Sequence, residues 1–179
     1  MSLFLTTFLT GLVLMAAGAV LLWNGKMIGP VLRTFPRSRR AAFVTVTIAA
    51  VWTLYRITQL GEADFGRYKT ILLIAFAVLA VLSFRYVPDF LSVRGSAGLT
   101  LLTADVILNS AFMQYELPQR LVLVAIVYLA IFLALYLAVA PFRVRDFFNW
   151  LFATSSRPRF MGMGMAAYGL ILLIVALTY

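Results

Sequence analysis

The sequence predicts an all-α fold, a polytopic integral membrane helical bundle of six transmembrane helices plus one short interfacial helix. Three observations carry this. Hydrophobic residues make up 64% of the chain and charged residues only 12%, with a mean hydropathy of +1.01, a balance suited to lipid rather than water. Six apolar runs come near the ~20 residues that a helix needs to cross a hydrocarbon core, where the backbone finds no other hydrogen-bond partner. The charges fall almost entirely between those runs, with arginines crowded into alternate gaps.

The first run, Leu3 to Trp23, carries Thr7, Gly11 and Gly18, small residues that let another helix approach closely. The chain starts nearly inside this run with no basic segment before it, so a cleaved signal peptide is not expected. From Asn24 to Arg40 the sequence reads as a loop, with Gly29-Pro30 as a breaker and a basic surface of Arg33, Arg37, Arg39 and Arg40. The second run is Ala41 to Leu60. The turn Gly61 to Gly66 joins it to the third, Thr70 to Val87, as an antiparallel hairpin.

The fourth run, Leu99 to Tyr115, is the shortest and least apolar, because Asp105, Asn109 and Ser110 lie in it. A second short turn, Glu116 to Arg120, leads to the fifth run, Leu121 to Phe142. Beyond Pro141, the apolar residues Val144, Phe147, Phe148, Leu151 and Phe152 recur at helical period, with Arg145, Asp146 and Asn149 opposite them. That pattern predicts an interfacial helix over about 144–153. The sixth run, Phe160 to Tyr179, has Gly162, Ala166 and Gly169 as its small face. All six runs form a single transmembrane domain, because the loops are too short for anything else.

Whether the fourth run crosses is decided by charge, since Lys and Arg accumulate in short cytoplasmic loops. Six spans with the N-terminus outside leave only Arg56, Arg67, Lys69 and Arg120 on the outer face, and the other 11 basic residues inside. With five spans, Arg120 moves in and Arg143, Arg145, Arg157 and Arg159 move out, which destroys the asymmetry. Six spans are therefore expected, with both termini on the outer, periplasmic side of a plasma or inner membrane. Aromatic residues agree: Trp23, Tyr86 and Trp150 fall at the inner interface, and Tyr55, Tyr68, Tyr115 and Tyr179 at the outer. Small size and the lack of a targeting segment suggest a bacterial protein. An inverted three-plus-three repeat is not supported, because the long basic loop follows the first span in one half and the second in the other.

Composition also excludes chemistry. With no cysteine and no histidine, thiolate reactions, the usual zinc sites and imidazole-ligated haem are ruled out, and no cofactor is expected. Nucleic acid is not an expected partner despite the net charge of +9, because topology already accounts for the positive loops. The six acidic residues show no metal-pair spacing, and no serine sits in a nucleophile elbow, so an enzyme, such as a lipid-modifying one, is the least favoured class.

Asp105 is the strongest candidate for function, because a carboxylate inside a span is costly unless paired or hydrated. Counted from Leu99 it lies about 9 Å along the helix, with Asn109 one turn on and Ser110 nearby. Arg85 is an expected partner from the preceding span. Arg94 is another if the fourth helix starts as early as Phe90. Arg56, flanked by Trp52 and Gln59, reads as a residue that snorkels to the outer interface. The expected function is a non-catalytic subunit or assembly factor of a larger membrane complex, the glycine-lined first and sixth spans contacting other membrane subunits or a second copy. The alternative is a small transporter or channel using Asp105 and Asn109. Anionic lipid headgroups are the expected partners of the inner basic surface.

Overall fold

The computed structural model describes residues 2–61 and 65–179, and among them all regular structure is helical. Seven α-helices follow in order: α1 (Leu3–Thr34), α2 (Arg39–Thr58), α3 (Lys69–Tyr86), α4 (Leu91–Ala111), α5 (Arg120–Val139), α6 (Phe142–Leu151) and α7 (Ser156–Ala176), with short 3-10 turns at Phe35–Arg37 and Gly66–Tyr68. Six of these segments are long and apolar enough to cross a membrane. The α6 helix is the short amphipathic one, turning Val144 and Leu151 inward and leaving Phe147 and Trp150 exposed. Of the predicted turn between α2 and α3, Glu62, Ala63 and Asp64 lie outside the described residues.

Several boundaries differ from the sequence reading, most of all those of the first and fourth runs. The α1 helix does not stop at Trp23 but runs 32 residues to Thr34 with Pro30 inside it, about 48 Å against a hydrocarbon core of about 30 Å. The predicted basic loop is thus mostly helix. Proline removes one backbone hydrogen bond, yet the helix persists because the corner between α6 and α7 braces it. A Cβ on Gly29 would lie 3.1 Å from the Phe152 ring, and one on Gly25 would lie 3.4 Å from Pro158. Ser38 then starts α2 two residues earlier than expected, accepting a hydrogen bond from the Ala41 N–H at 3.2 Å.

The α4 helix begins at Leu91 rather than Leu99 and ends at Ala111 rather than Tyr115. Its first two turns contain Gly95, Ser96 and Gly98, which lowered the apolar signal. The two glycines are small because their face packs against α2: a Cβ on Gly95 would come 2.5 Å from Thr45 Oγ1 and 2.9 Å from the Val46 nitrogen. At the other end Met113 adopts a left-handed φ of 59°, and Arg120 reaches back to donate to the Ala111 carbonyl at 2.6 Å, satisfying an end carbonyl that the helix leaves open.

The α4 helix is the centre of the bundle, packing against α1, α2 and α5, whereas α3 packs chiefly on α2 and has no buried residue. Leu3, Ala104, Ala111, Leu123, Val127 and Leu172 form the buried core near the end where α4 meets α5. Polar ties fasten the elements around it. The Ser110 and Thr6 hydroxyls meet at 2.7 Å between α4 and α1. Tyr168 on α7 donates to the Val122 carbonyl at 2.7 Å.

The most extensive pairing joins the first and last helices, α1 and α7. Their partners run in opposite senses, Gly11 with Gly169 and Gly18 with Gly162, so the helices are antiparallel. A Cβ on Gly18 would stand 2.6 Å from the Ala166 nitrogen and 2.6 Å from the Gly162 carbonyl oxygen, and one on Gly169 would stand 2.7 Å from the Gly11 oxygen. Backbone therefore lies on backbone, the arrangement that small residues permit in a membrane. The sequence leaves these small faces to packing either within the bundle or against another subunit; in the fold Gly11 and Gly18 are covered by Gly169 and Gly162.

Ser92 was not singled out by sequence. It is almost fully buried at the start of α4, and its hydroxyl lies 2.8 Å from the Phe35 carbonyl and 3.0 Å from the Pro36 carbonyl, so it clamps the α1–α2 turn to α4. Replacing Ser92 with alanine removes the one hydroxyl donor shared by these carbonyls, of which Phe35 keeps the Ser38 N–H, and is expected to cost about 1–3 kcal/mol. Thermal unfolding in detergent checks this; an unchanged midpoint would show that the clamp is dispensable.

Candidate functional site

The α2 and α4 helices run parallel, and their register follows from the small residues between them. Gly95 sits against Thr45 and Val46, and Gly98 faces Ala49. The Thr45 hydroxyl also lies 3.4 Å from the Ser92 carbonyl. Each α4 residue therefore stands opposite the α2 residue about 49 positions earlier. Two to three turns further on, that offset brings Asp105 to Arg56.

Arg56 Nη2 donates to Asp105 Oδ2, forming an ion pair between the helices. Asn109, one turn along α4, donates from Nδ2 to Asp105 Oδ1 at 3.1 Å. Both carboxylate oxygens are thus engaged by donors, which is how a charge is made tolerable inside a span. The trio is not sealed in the bundle, since the Arg56 and Asp105 side chains keep 47% and 45% of their surface open.

The expected partners of Asp105 are corrected by this geometry. With α4 starting at Leu91, Asp105 lies about 21 Å from that end and about 9 Å from the end at Ala111. Arg94 is three turns away, about 16 Å along the helix, and lines a separate groove with Ser83 and Gly95. Arg85 is in the last turn of α3, at the same remote end. Arg56 takes the role, and the sequence reading missed it because a lone arginine near a span end resembles a snorkelling one. Ser110 also parts from the trio: five residues on, it has turned about 140° round the helix and faces Thr6.

The predicted inner basic surface is divided by the fold. Arg33 lies over the Phe152 ring at 6.0 Å, and Arg37 over the Phe90 ring at 5.6 Å. Arg37 and Arg39 border a second hollow with Phe43, Phe84 and Ser92, and Arg40 is exposed. These arginines do share one end of the bundle, because it holds the C-terminus of α1 and the N-terminus of α2.

Beside the trio, a groove of about 660 Å³ runs between α1, α2, α4 and α5, bordered by Trp52 and by Thr10, Thr100 and Thr103. Its walls are mainly aliphatic, and the three threonine hydroxyls donate to carbonyls of their own helices at 2.7–2.9 Å. The groove therefore presents hydrocarbon rather than free donors. No cluster of metal-ligating side chains occurs among the described residues.

Fold and site together define a multi-pass helical membrane protein with, among the described residues, one interhelical charge pair on its side. Comparison with family models, with curated proteins and with solved structures finds no match to this chain.

Proposed function

We propose that this chain is a non-catalytic subunit or assembly factor of a larger membrane complex, docked on its partner through the α2–α4 face. The observation that supports it is the half-exposed trio of Arg56, Asp105 and Asn109. A paired charge turned toward lipid tails keeps much of its desolvation cost, whereas a polar helix laid against it would supply the remaining hydrogen bonds. The short connections and the lack of cofactor chemistry fit the same reading. The charge asymmetry supports placing the basic end on the cytoplasmic face, with both termini outside.

The transporter alternative draws on the same carboxylate, but Asp105 is neutralised by Arg56 and its helix is continuous. A midplane ion site of the broken-helix kind is absent among the described residues. The subunit reading predicts a co-purifying membrane chain when the protein is extracted from native membranes in mild detergent. Loss of that chain in the R56L/D105L double variant, with the bundle still folded, is the expected result. A stable lone monomer, or a proteoliposome flux that Asp105→Asn abolishes, would overturn it.

A further inference from the structure

The long extension of α1 past Trp23 and the corner from Phe152 to Arg159 enclose a cavity of about 570 Å³ at the basic end. Its lining combines aliphatic side chains, Leu21, Leu22, Met27 and Pro30, with the polar Arg33, Arg159, Thr154 and Ser155. Arg33 and Arg159 come from opposite ends of the sequence, and the antiparallel α1–α7 seam brings them to the same hollow. Among the described residues no carboxylate lines the cavity, and neither arginine has an ion-pair partner. Nor do the Thr154 and Ser155 side chains take part in any hydrogen bond among those residues. Arg33 also lies over the Phe152 ring at 6.0 Å, a contact that leaves its N–H donors open to an anion.

We infer that this cavity binds a phosphate group, held between Arg33 and Arg159 with Thr154 and Ser155 as further donors. Guanidinium groups match phosphate oxygens in pairs, and hydroxyls supply donors where an anion would otherwise lose water. The cavity opens just beyond the apolar stretch of α1 that ends at Trp23, so it lies at headgroup level, and its aliphatic wall suits the first carbons of an acyl chain. An anionic phospholipid supplies phosphate and chain together; a soluble phosphate ester would supply the phosphate alone.

Native mass spectrometry of the full chain in mild detergent, titrated with phosphatidylglycerol, phosphatidylcholine or inorganic phosphate, tests this. Phosphatidylglycerol retained in preference to phosphatidylcholine supports the site and assigns a lipid headgroup. Inorganic phosphate retained without a preference for phosphatidylglycerol over phosphatidylcholine supports it and assigns a soluble phosphate source. The R33Q/R159Q variant is expected to weaken binding about tenfold or more, and R39Q/R40Q, which removes equal charge at the same end, by less than about twofold. Binding of neither anion in preference to phosphatidylcholine, or equal losses in the two variants, would overturn the assignment. If the glutamine pair fails to fold, R33K and R159K keep the charge but lose the planar fork. A loss of a few-fold is then expected, and unchanged binding in both would overturn the site as well.

Discussion

Gly18→Leu is expected to prevent α1 and α7 from docking, so that the purified protein aggregates or melts far below the wild type. The obstacle is backbone, not a side chain that can rotate away: a Cβ at this position would already sit 2.6 Å from the Ala166 nitrogen and from the Gly162 oxygen. Even Gly18→Ala forces the helices apart. The usual cost of overpacking is about 1–3 kcal/mol, and Gly18→Ala should fall at the upper end because separating one pair strains the glycine contacts along the seam. Gly164, on the same α7 helix, has nothing within 4 Å of where a Cβ would stand. Gly164→Ala is therefore expected to be neutral or slightly stabilising, since alanine is the better helix former. Melting curves of the two alanine variants side by side make the comparison; similar midpoints would mean that the seam is not as tight as drawn.

The second large effect is an asymmetry at the charge pair. Arg56→Leu leaves the Asp105 carboxylate with only the Asn109 amide, and Asp105→Leu strands the guanidinium. Breaking a fully buried pair this way costs about 3–5 kcal/mol. The effect here is expected to be smaller, about 2 kcal/mol for either single change, because nearly half of each side chain is not enclosed by protein and a stranded group can reorient toward the nearer helix end. The double change R56L/D105L is expected to recover most of that loss, since two apolar residues replace two charges without stranding either. A double-mutant cycle on unfolding in detergent measures the coupling. Additive losses would show that the two groups act independently. Recovery of stability with loss of the partner would separate the docking role of the pair from a purely structural one.

Much of the fold was legible in advance because lipid constrains it so strongly. A backbone without water must be helical, spans need a minimum length, and basic residues avoid one side. The fourth run illustrates the power of this, since charge asymmetry alone requires the weakly apolar segment around Asp105 to cross, and α4 is one of the six span-length helices. The hairpins of α2 with α3 and α4 with α5 follow from loops too short for any other pairing. The same local signals misplaced the ends. Gly29-Pro30 and the arginines after it looked like loop, and Gly95 to Gly98 looked too polar for a span. In both places the small residues serve a neighbour rather than break a helix.

The site was half legible. Asp105 and Asn109 stand out because they share a face at i and i+4 and interrupt an apolar run, and in the fold Asn109 donates to Asp105. Arg56 did not stand out, because a partner on another helix is identified by register, and register is set by how closely Gly95 and Gly98 let α4 approach α2. In the same way Thr7, Gly11 and Gly18 could be marked as a contact face, but not what they contact.

The sequence by itself determined the class, the number of spans and the excluded chemistries, because these depend on composition, run length and the absence of histidine and cysteine, which no packing alters. Only the tertiary structure decided that α1 meets α7 along glycines, that Asp105 is held by Arg56 rather than Arg85 or Arg94, and that Arg33 and Arg159 share a cavity. Those pairings join residues from 49 positions apart, Arg56 with Asp105, to 158, Gly11 with Gly169. They depend on the relative register of helices, which is set by close contact between backbones and leaves no periodic trace along a single chain.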